Sequence, residues 1–127
     1  MRDLFDLKAK TAVVTGGAGL LGKAIARGLA SYGATVYVAD LDIRSARAVC
    51  AGLQPQRGRL VPVTLDITKL PSIRSCIRKI LSETGKIDIW VNNAYPRTKD
   101  WGNVFEKIKP SSWRKMPICW SCVATSC

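Results

Sequence analysis

The chain alternates short apolar runs with longer amphipathic ones. Thr11–Thr15 is a β-branched run that suits a buried strand, and it leads into a glycine-rich turn. From Leu20 to Ser31, Leu21, Ile25 and Leu29 recur at i, i+4 spacing with Lys23 and Arg27 turned away, which predicts an amphipathic helix. Tyr32-Gly33 ends it, and Ala34–Ala39 predicts a second strand closed by Asp40. Leu41–Leu53 predicts a second helix with Ile43, Ala46, Val49 and Leu53 as its stripe and Asp42 as N-cap. Pro55 and Gly58 break the chain before a third strand, Leu60–Leu65. Asp66-Ile67-Thr68 follows, with Thr68 as cap and Pro71 in the first turn of a helix over Ser72–Glu83. Ile73, Cys76, Ile77 and Ile80 are its inward positions. Thr84-Gly85-Lys86 ends that helix, Ile87–Val91 is a fourth strand, and Asn92-Asn93-Ala94 closes it.

The order β-α-β-α-β-α-β, with short apolar strands, points to a parallel sheet covered by helices on both faces. Ahead of it, Leu4, Phe5 and Leu7 are expected to cover the sheet edge. From Tyr95 the pattern weakens. Val104–Ile108 reads as one helical turn and Pro110–Trp113 as the start of a further helix. Residues 114–127 show neither period, so the expected division is a partial domain over 1–113 and an irregular tail over 114–127.

The first turn carries the candidate chemistry. Gly17, Gly19 and Gly22 spell G-x-G-x-x-G between a strand and a helix, the context that makes this pattern a dinucleotide-site candidate rather than a glycine-rich turn of another kind. Gly17 is expected to make the tight turn, Gly19 to admit a pyrophosphate, and Gly22 to let the helix pack close to the sheet. Unpaired N–H groups at the helix start suit phosphate oxygens. Asp40 stands about 20 residues past the glycines, where an acid can accept from the adenosine ribose 2′-hydroxyl. A carboxylate there repels the additional phosphate of NADP, so NAD is the expected cofactor.

Composition narrows the partners. Of the 127 residues, 47% are hydrophobic and 23% charged, as in globular domains. The first ten residues mix charges of both signs without a long apolar core, against a secretory signal. No apolar run approaches the roughly 20 residues of a membrane span. A cytoplasmic protein with no membrane partner is the expectation. The net charge of +11 is spread over helices and loops without a nucleic-acid-binding signature, so a solvated basic surface is expected and no specific nucleic-acid partner. Cys50 and Cys76 read as small apolar core residues. Cys119-x-x-Cys122 has no histidine and no second C-x-x-C to complete a four-ligand zinc site, so no metal is expected.

Four motifs in order give the chain a resemblance to the N-terminal half of the short-chain dehydrogenases/reductases. Thr15-Gly16-Gly17-Ala18-Gly19-Leu20-Leu21-Gly22 resembles that family's glycine motif; Asp40, followed by Leu41, resembles the acid of its NAD-preferring members. Asp66-Ile67 resembles its adenine-contacting pair, and Asn92-Asn93-Ala94 its N-N-A at the end of strand four. The resemblance covers about residues 8 to 113 and implies a Rossmann-like, doubly wound α/β parallel sheet, here incomplete with about four strands and flanking helices. It implies cofactor contacts at Thr15, Gly16, Gly17, Gly19, Leu20, Leu21, Gly22, Asp40, Leu41, Asp66, Ile67, Asn93 and Ala94. Two departures stand out. One branch of the family has glycine where this chain has Leu20, while T-G-x-x-G-x-x-G, seen in the branch with sugar-nucleotide epimerases, also fits Thr15–Gly22. The family's N-N-A-G is N-N-A-Tyr95 here.

The resemblance also implies residues that these 127 do not supply. The family uses a serine, a tyrosine with a lysine four positions on, and a supporting asparagine; the position of that asparagine is Trp120. Tyr95-Pro96-Arg97-Thr98-Lys99 fits Y-x-x-x-K in letters only, because it directly follows strand four and Pro96 disfavours the helix the pair needs. No catalytic residue is therefore assigned. The expected function is an NAD-binding fragment of an oxidoreductase that moves hydride between NAD(H) and an alcohol or carbonyl, itself catalytically incompetent, with residues 114–127 as an out-of-frame or spliced tail. A small-molecule substrate is expected only for a full-length form. The alternative is a non-catalytic regulatory or interaction protein that associates through an exposed sheet edge.

Overall fold

The computed structural model describes residues 4–55, 57–96, 99–100 and 102–112. The expected irregular tail, its three cysteines, Trp113 and Trp120 lie outside the described residues. Four strands form one sheet: β1 (Thr11–Thr15), β2 (Thr35–Asp40), β3 (Arg59–Thr64) and β4 (Ile89–Val91). Helices α1 (Leu20–Ser31), α2 (Ile43–Gly52) and α3 (Leu70–Thr84) connect them in turn, and a short 3₁₀ turn spans Phe105–Lys107.

The sheet order is β3-β2-β1-β4, and every pairing is parallel. Val13 lies between Tyr37 and Trp90, so β1 is flanked on both sides and all five of its residues are buried. β3 is the outer strand, with Pro62 opposite Val38. Proline is tolerated at such an edge because its missing N–H costs an outer strand least.

Strand alternation divides the core in two. Ala12, Val14, Val36 and Val38 face α1 and α2, meeting Ala26, Ala30 and Ala46 with Ile25, Leu29, Ile43 and Val49 around them. Val13, Tyr37, Ala39 and Val63 face the other way, onto Ile73, Cys76 and Ile80 of α3. This two-sided cover is why the strands read as continuous apolar runs. Cys76 is buried and Cys50 half-buried, each within its expected cluster.

Several local expectations are corrected. Leu21 is 64% exposed, and the face of α1 against the sheet is Gly22, Ala26 and Ala30. The helix lies so close to the strands that its small residues are the fully buried ones, with Ile25 and Leu29 packed beside them. The inner end of α3 begins at Leu70 with Lys69 as N-cap; Thr68 donates its hydroxyl to Asp66 Oδ1 at 2.6 Å. Leu7 packs on the core, but Leu4 and Phe5 are 94% and 68% exposed, with Phe5 set against the Tyr32 ring. Asp42 caps α2 as expected, accepting from Arg44 N at 3.0 Å and Ser45 Oγ at 2.8 Å.

Tyr37 is the largest fully buried side chain, and its hydroxyl donates to Glu83 Oε2 at 2.6 Å. Burial first, then the Glu83 carboxylate, pushes its pKa from 10.0 up to about 12. The folded chain therefore holds this proton more tightly than the unfolded chain. That contribution to stability is complete below pH 10 and is lost as pH rises toward about 12. Cys76, pushed up by burial to about 11, adds a similar loss from pH 9 upward. Urea unfolding at a series of alkaline pH values should show stability falling across this window. Tyr37→Phe should flatten the upper part of the fall and leave the Cys76 part.

Candidate functional site

The chain builds β1, β2 and β3 outward in one direction, then crosses back to place β4 on the far side of β1. A crevice opens at such a switch point, beyond the carboxyl ends of the strands. Here it is a cleft of about 730 Å³, within the range of small-molecule sites. Its walls are strand ends: Gly16 and Gly19–Gly22 after β1, Asp40 at the end of β2 with Leu41 after it, Leu65–Thr68 after β3, and Asn93–Pro96 after β4.

The glycine turn divides its work differently from the sequence expectation. Gly16, with φ +62, makes the left-handed turn, not Gly17. Gly17 is buried because its backbone is pressed onto β2: a Cβ there would lie 2.8 Å from Val38 Cγ1 and 2.9 Å from Val14 O. Gly22 does bring α1 close, since a Cβ would lie 2.1 Å from Gly16 O. At Gly19 a Cβ would meet only Gly16 O at 3.3 Å, so the cleft side stays open. Gly19 is also the N-cap of α1 and offers no side-chain cap; the first helical bond is Lys23 N–H to Gly19 O at 2.9 Å. The N–H groups of Leu20, Leu21 and Gly22, ahead of Lys23, thus have no intrahelical acceptor and stand at the positive end of the helix dipole.

Thr15 and Asn93 hold the two sides of the cleft together. The Thr15 hydroxyl, on a residue 1% exposed, donates to Val91 O at 3.1 Å and accepts from Asn93 N and Ala94 N, each at 3.0 Å. One hydroxyl has one donor and two lone pairs, and all are used. Asn93 Nδ2 returns the tie by donating to Thr15 O at 3.1 Å and Gly16 O at 3.2 Å.

Two carboxylates stand over the cleft. Asp40 Oδ2 accepts from Ala18 N at 3.0 Å. Asp66 Oδ1 accepts from the Thr68 hydroxyl and from Thr68 N at 3.0 Å, with Lys69 Nζ at 3.5 Å from Oδ2. The Thr68 hydroxyl, then its N–H, holds the Asp66 carboxyl below the usual carboxylate range. Ile67 is half-buried and packs toward the α3 core.

Of the thirteen residues singled out in the sequence, the cleft brings together Gly16, Gly19, Leu20, Leu21, Gly22, Asp40, Leu41, Asp66, Ile67, Asn93 and Ala94. Thr15 and Gly17 do not line it; they act from behind. Leu65, Thr68, Tyr95 and Pro96 line it without having been singled out. Their signal was adjacency: each directly flanks a motif at a strand end. Lys99, in a turn past the described part of this loop, does not line it. Among the described residues no cluster of three or more metal-type ligands occurs, and no helix is long and apolar enough to cross a membrane.

Thr15→Val keeps the shape but takes the acceptor from Ala94 N–H and leaves Asn93 N–H and Val91 O only each other, at 3.1 Å. It should cost about 1–3 kcal/mol in urea unfolding, the penalty of leaving a buried polar group unpaired.

The comparisons agree with this geometry. The family model for short chain dehydrogenase matches residues 10–119. A sorbitol dehydrogenase from Cereibacter sphaeroides is 40% identical over 88 residues, which is 69% of this chain and 33% of that protein. A D-threitol dehydrogenase from Mycolicibacterium smegmatis is 37% identical over 90 residues, 71% of this chain and 35% of that protein. The chain thus spans about a third of the length of these curated relatives. A solved structure of a metagenomic short-chain oxidoreductase in complex with NADP superposes with a TM-score of 0.73 at 31% identity, covering 87% of this chain and 49% of that one. By its motifs, its sheet order and a family match over most of its length, this chain belongs to the short chain dehydrogenase family.

Proposed function

We propose that the described fold is the adenosine- and diphosphate-binding half of a nicotinamide-dependent oxidoreductase, and that it prefers NAD to NADP. The observation that carries this is the cleft itself. It joins an uncapped helix N-terminus, an open Gly19 and a carboxylate at the end of β2 in one space. The diphosphate belongs at the start of α1, the adenosine ribose at Asp40, and the adenine between Leu41 and the Asp66-Ile67 segment. Among the described residues that line the cleft none is a lysine or arginine, which supports Asp40 as a group unfavourable to a 2′-phosphate. The solved neighbour holds NADP, which makes the preference a question about Asp40 rather than about the fold.

When bound, the nicotinamide supplies hydride exchange with an alcohol or carbonyl carbon. In this reading the described residues hold and orient the cofactor, and Tyr95 is the one phenol among those that line the cleft. Their single Tyr-x-x-x-Lys, Tyr95 to Lys99, has Pro96 inside it and follows β4 directly. We therefore read this chain as binding without turnover.

Titration of the 127-residue chain with NADH and NADPH, followed by calorimetry, tests the first part. NADH should bind at least about tenfold more tightly, a difference of about 1.4 kcal/mol. Equal affinity, or no binding of either, overturns the reading. Incubation with NADH and a panel of aldehydes and ketones should leave absorbance at 340 nm unchanged; turnover abolished by Tyr95→Phe would show the chain to be an enzyme.

A further inference from the structure

Asp40 is engaged before any ligand arrives. Its Oδ2 accepts from Ala18 N at 3.0 Å and its Oδ1 from Asp42 N at 3.3 Å. Beside Ala18, Gly17 N donates to Ala39 O at 3.1 Å. The glycine turn is therefore fastened to the end of β2 at two successive residues, first by backbone and then by this carboxylate. One residue later the chain enters α1 through Gly19. A carboxylate has about four lone-pair positions, so two remain for ribose hydroxyls after these bonds are counted.

We propose that Asp40 is a positioning residue for the diphosphate as well as a ligand of the ribose. By holding Ala18 N–H it fixes the glycine turn, and with it the direction in which the α1 N-terminus points. The inference rests on the dinucleotide reading of the cleft and adds to it: the acid that selects the ribose also sets the phosphate cradle. Without the carboxylate the start of the turn is still held by Asn93 Nδ2 at Gly16 O, by the Gly17–Ala39 bond and by its internal Gly19 N–H to Gly16 O bond at 3.1 Å, but Ala18, next to the α1 N-cap, loses its tie to β2. Removing Asp40 therefore weakens diphosphates that carry no ribose hydroxyl for it to bind.

Calorimetric titration of the 127-residue chain with ADP and with 2′,3′-dideoxy-ADP, which has no ribose hydroxyl, separates the two roles. Asp40→Ala should bind 2′,3′-dideoxy-ADP about tenfold more weakly than the unaltered chain, the scale of one charge-assisted hydrogen bond. Asp40→Asn, whose amide oxygen still accepts from Ala18 N–H, should recover most of that loss while staying weak toward ADP. Far-UV circular dichroism checks that each variant is folded. If Asp40→Ala is not, Asp40→Ser takes its place with the same expectation, because its hydroxyl is too short to reach Ala18 N–H. Loss of ADP affinity with unchanged 2′,3′-dideoxy-ADP affinity would confine Asp40 to the ribose and overturn this inference alone. Failure of the unaltered chain to bind either nucleotide would overturn the cofactor reading and this inference with it.

Discussion

One hydroxyl group joins the two halves of the cleft. β1 ends at Thr15 and β4 ends at Val91, and between these ends the chain must leave in opposite directions, into α1 on one side and toward Tyr95 on the other. The strands alone do not fix that divergence, since β4 pairs with β1 over only three residues. Thr15 fixes it by taking Val91 O, Asn93 N and Ala94 N onto a single oxygen. Asn93 then reaches back to Thr15 O and Gly16 O, so the glycine turn and the N-N-A segment form one hydrogen-bonded unit. A serine in place of Thr15 would keep the bonds, but valine would keep only the volume.

The site is made of what the strands leave over. Their side chains are spent on the two apolar layers, so the groups that face the cleft are turn backbone and the first residues past each strand. Among the described residues, what the cleft offers is therefore N–H groups, a helix N-terminus and two acids rather than bases. The acids are not free-standing either. Asp66 is held by Thr68 and Lys69, and Asp40 by the turn it faces. Each is oriented by the loop that it in turn steadies.

The sheet, its two layers and most of the cleft were legible in the sequence because periodicity and motif order report on burial and on turns. Ile73, Cys76 and Ile80 fell on the inner face as their spacing indicates. The misreadings share a cause: each depended on a distance between elements. Leu21 looked inward by helical spacing, but Gly22 pulls α1 so near the sheet that alanines fill the gap and the leucine turns to the cleft. The turn expected of Gly17 fell to Gly16 because the letters of the motif do not say which glycine turns and which is pressed onto β2. Thr68 looked like a cap until Asp66 claimed its hydroxyl. Tyr95, where the family has glycine, gave no periodic signal at all, yet it lines the cleft.

Pro62 gives the sheet a direction. On the outer strand β3 it removes a donor that a neighbouring strand would use, and blunted edges of this kind resist further pairing. Beyond β4 no described residue imposes the same restriction. Among the described residues the two margins therefore differ in one backbone bond: a strand laid beside β3 would forgo a donor at Pro62, whereas one laid beside β4 would lie next to the Asn93 side of the cleft and lengthen its wall.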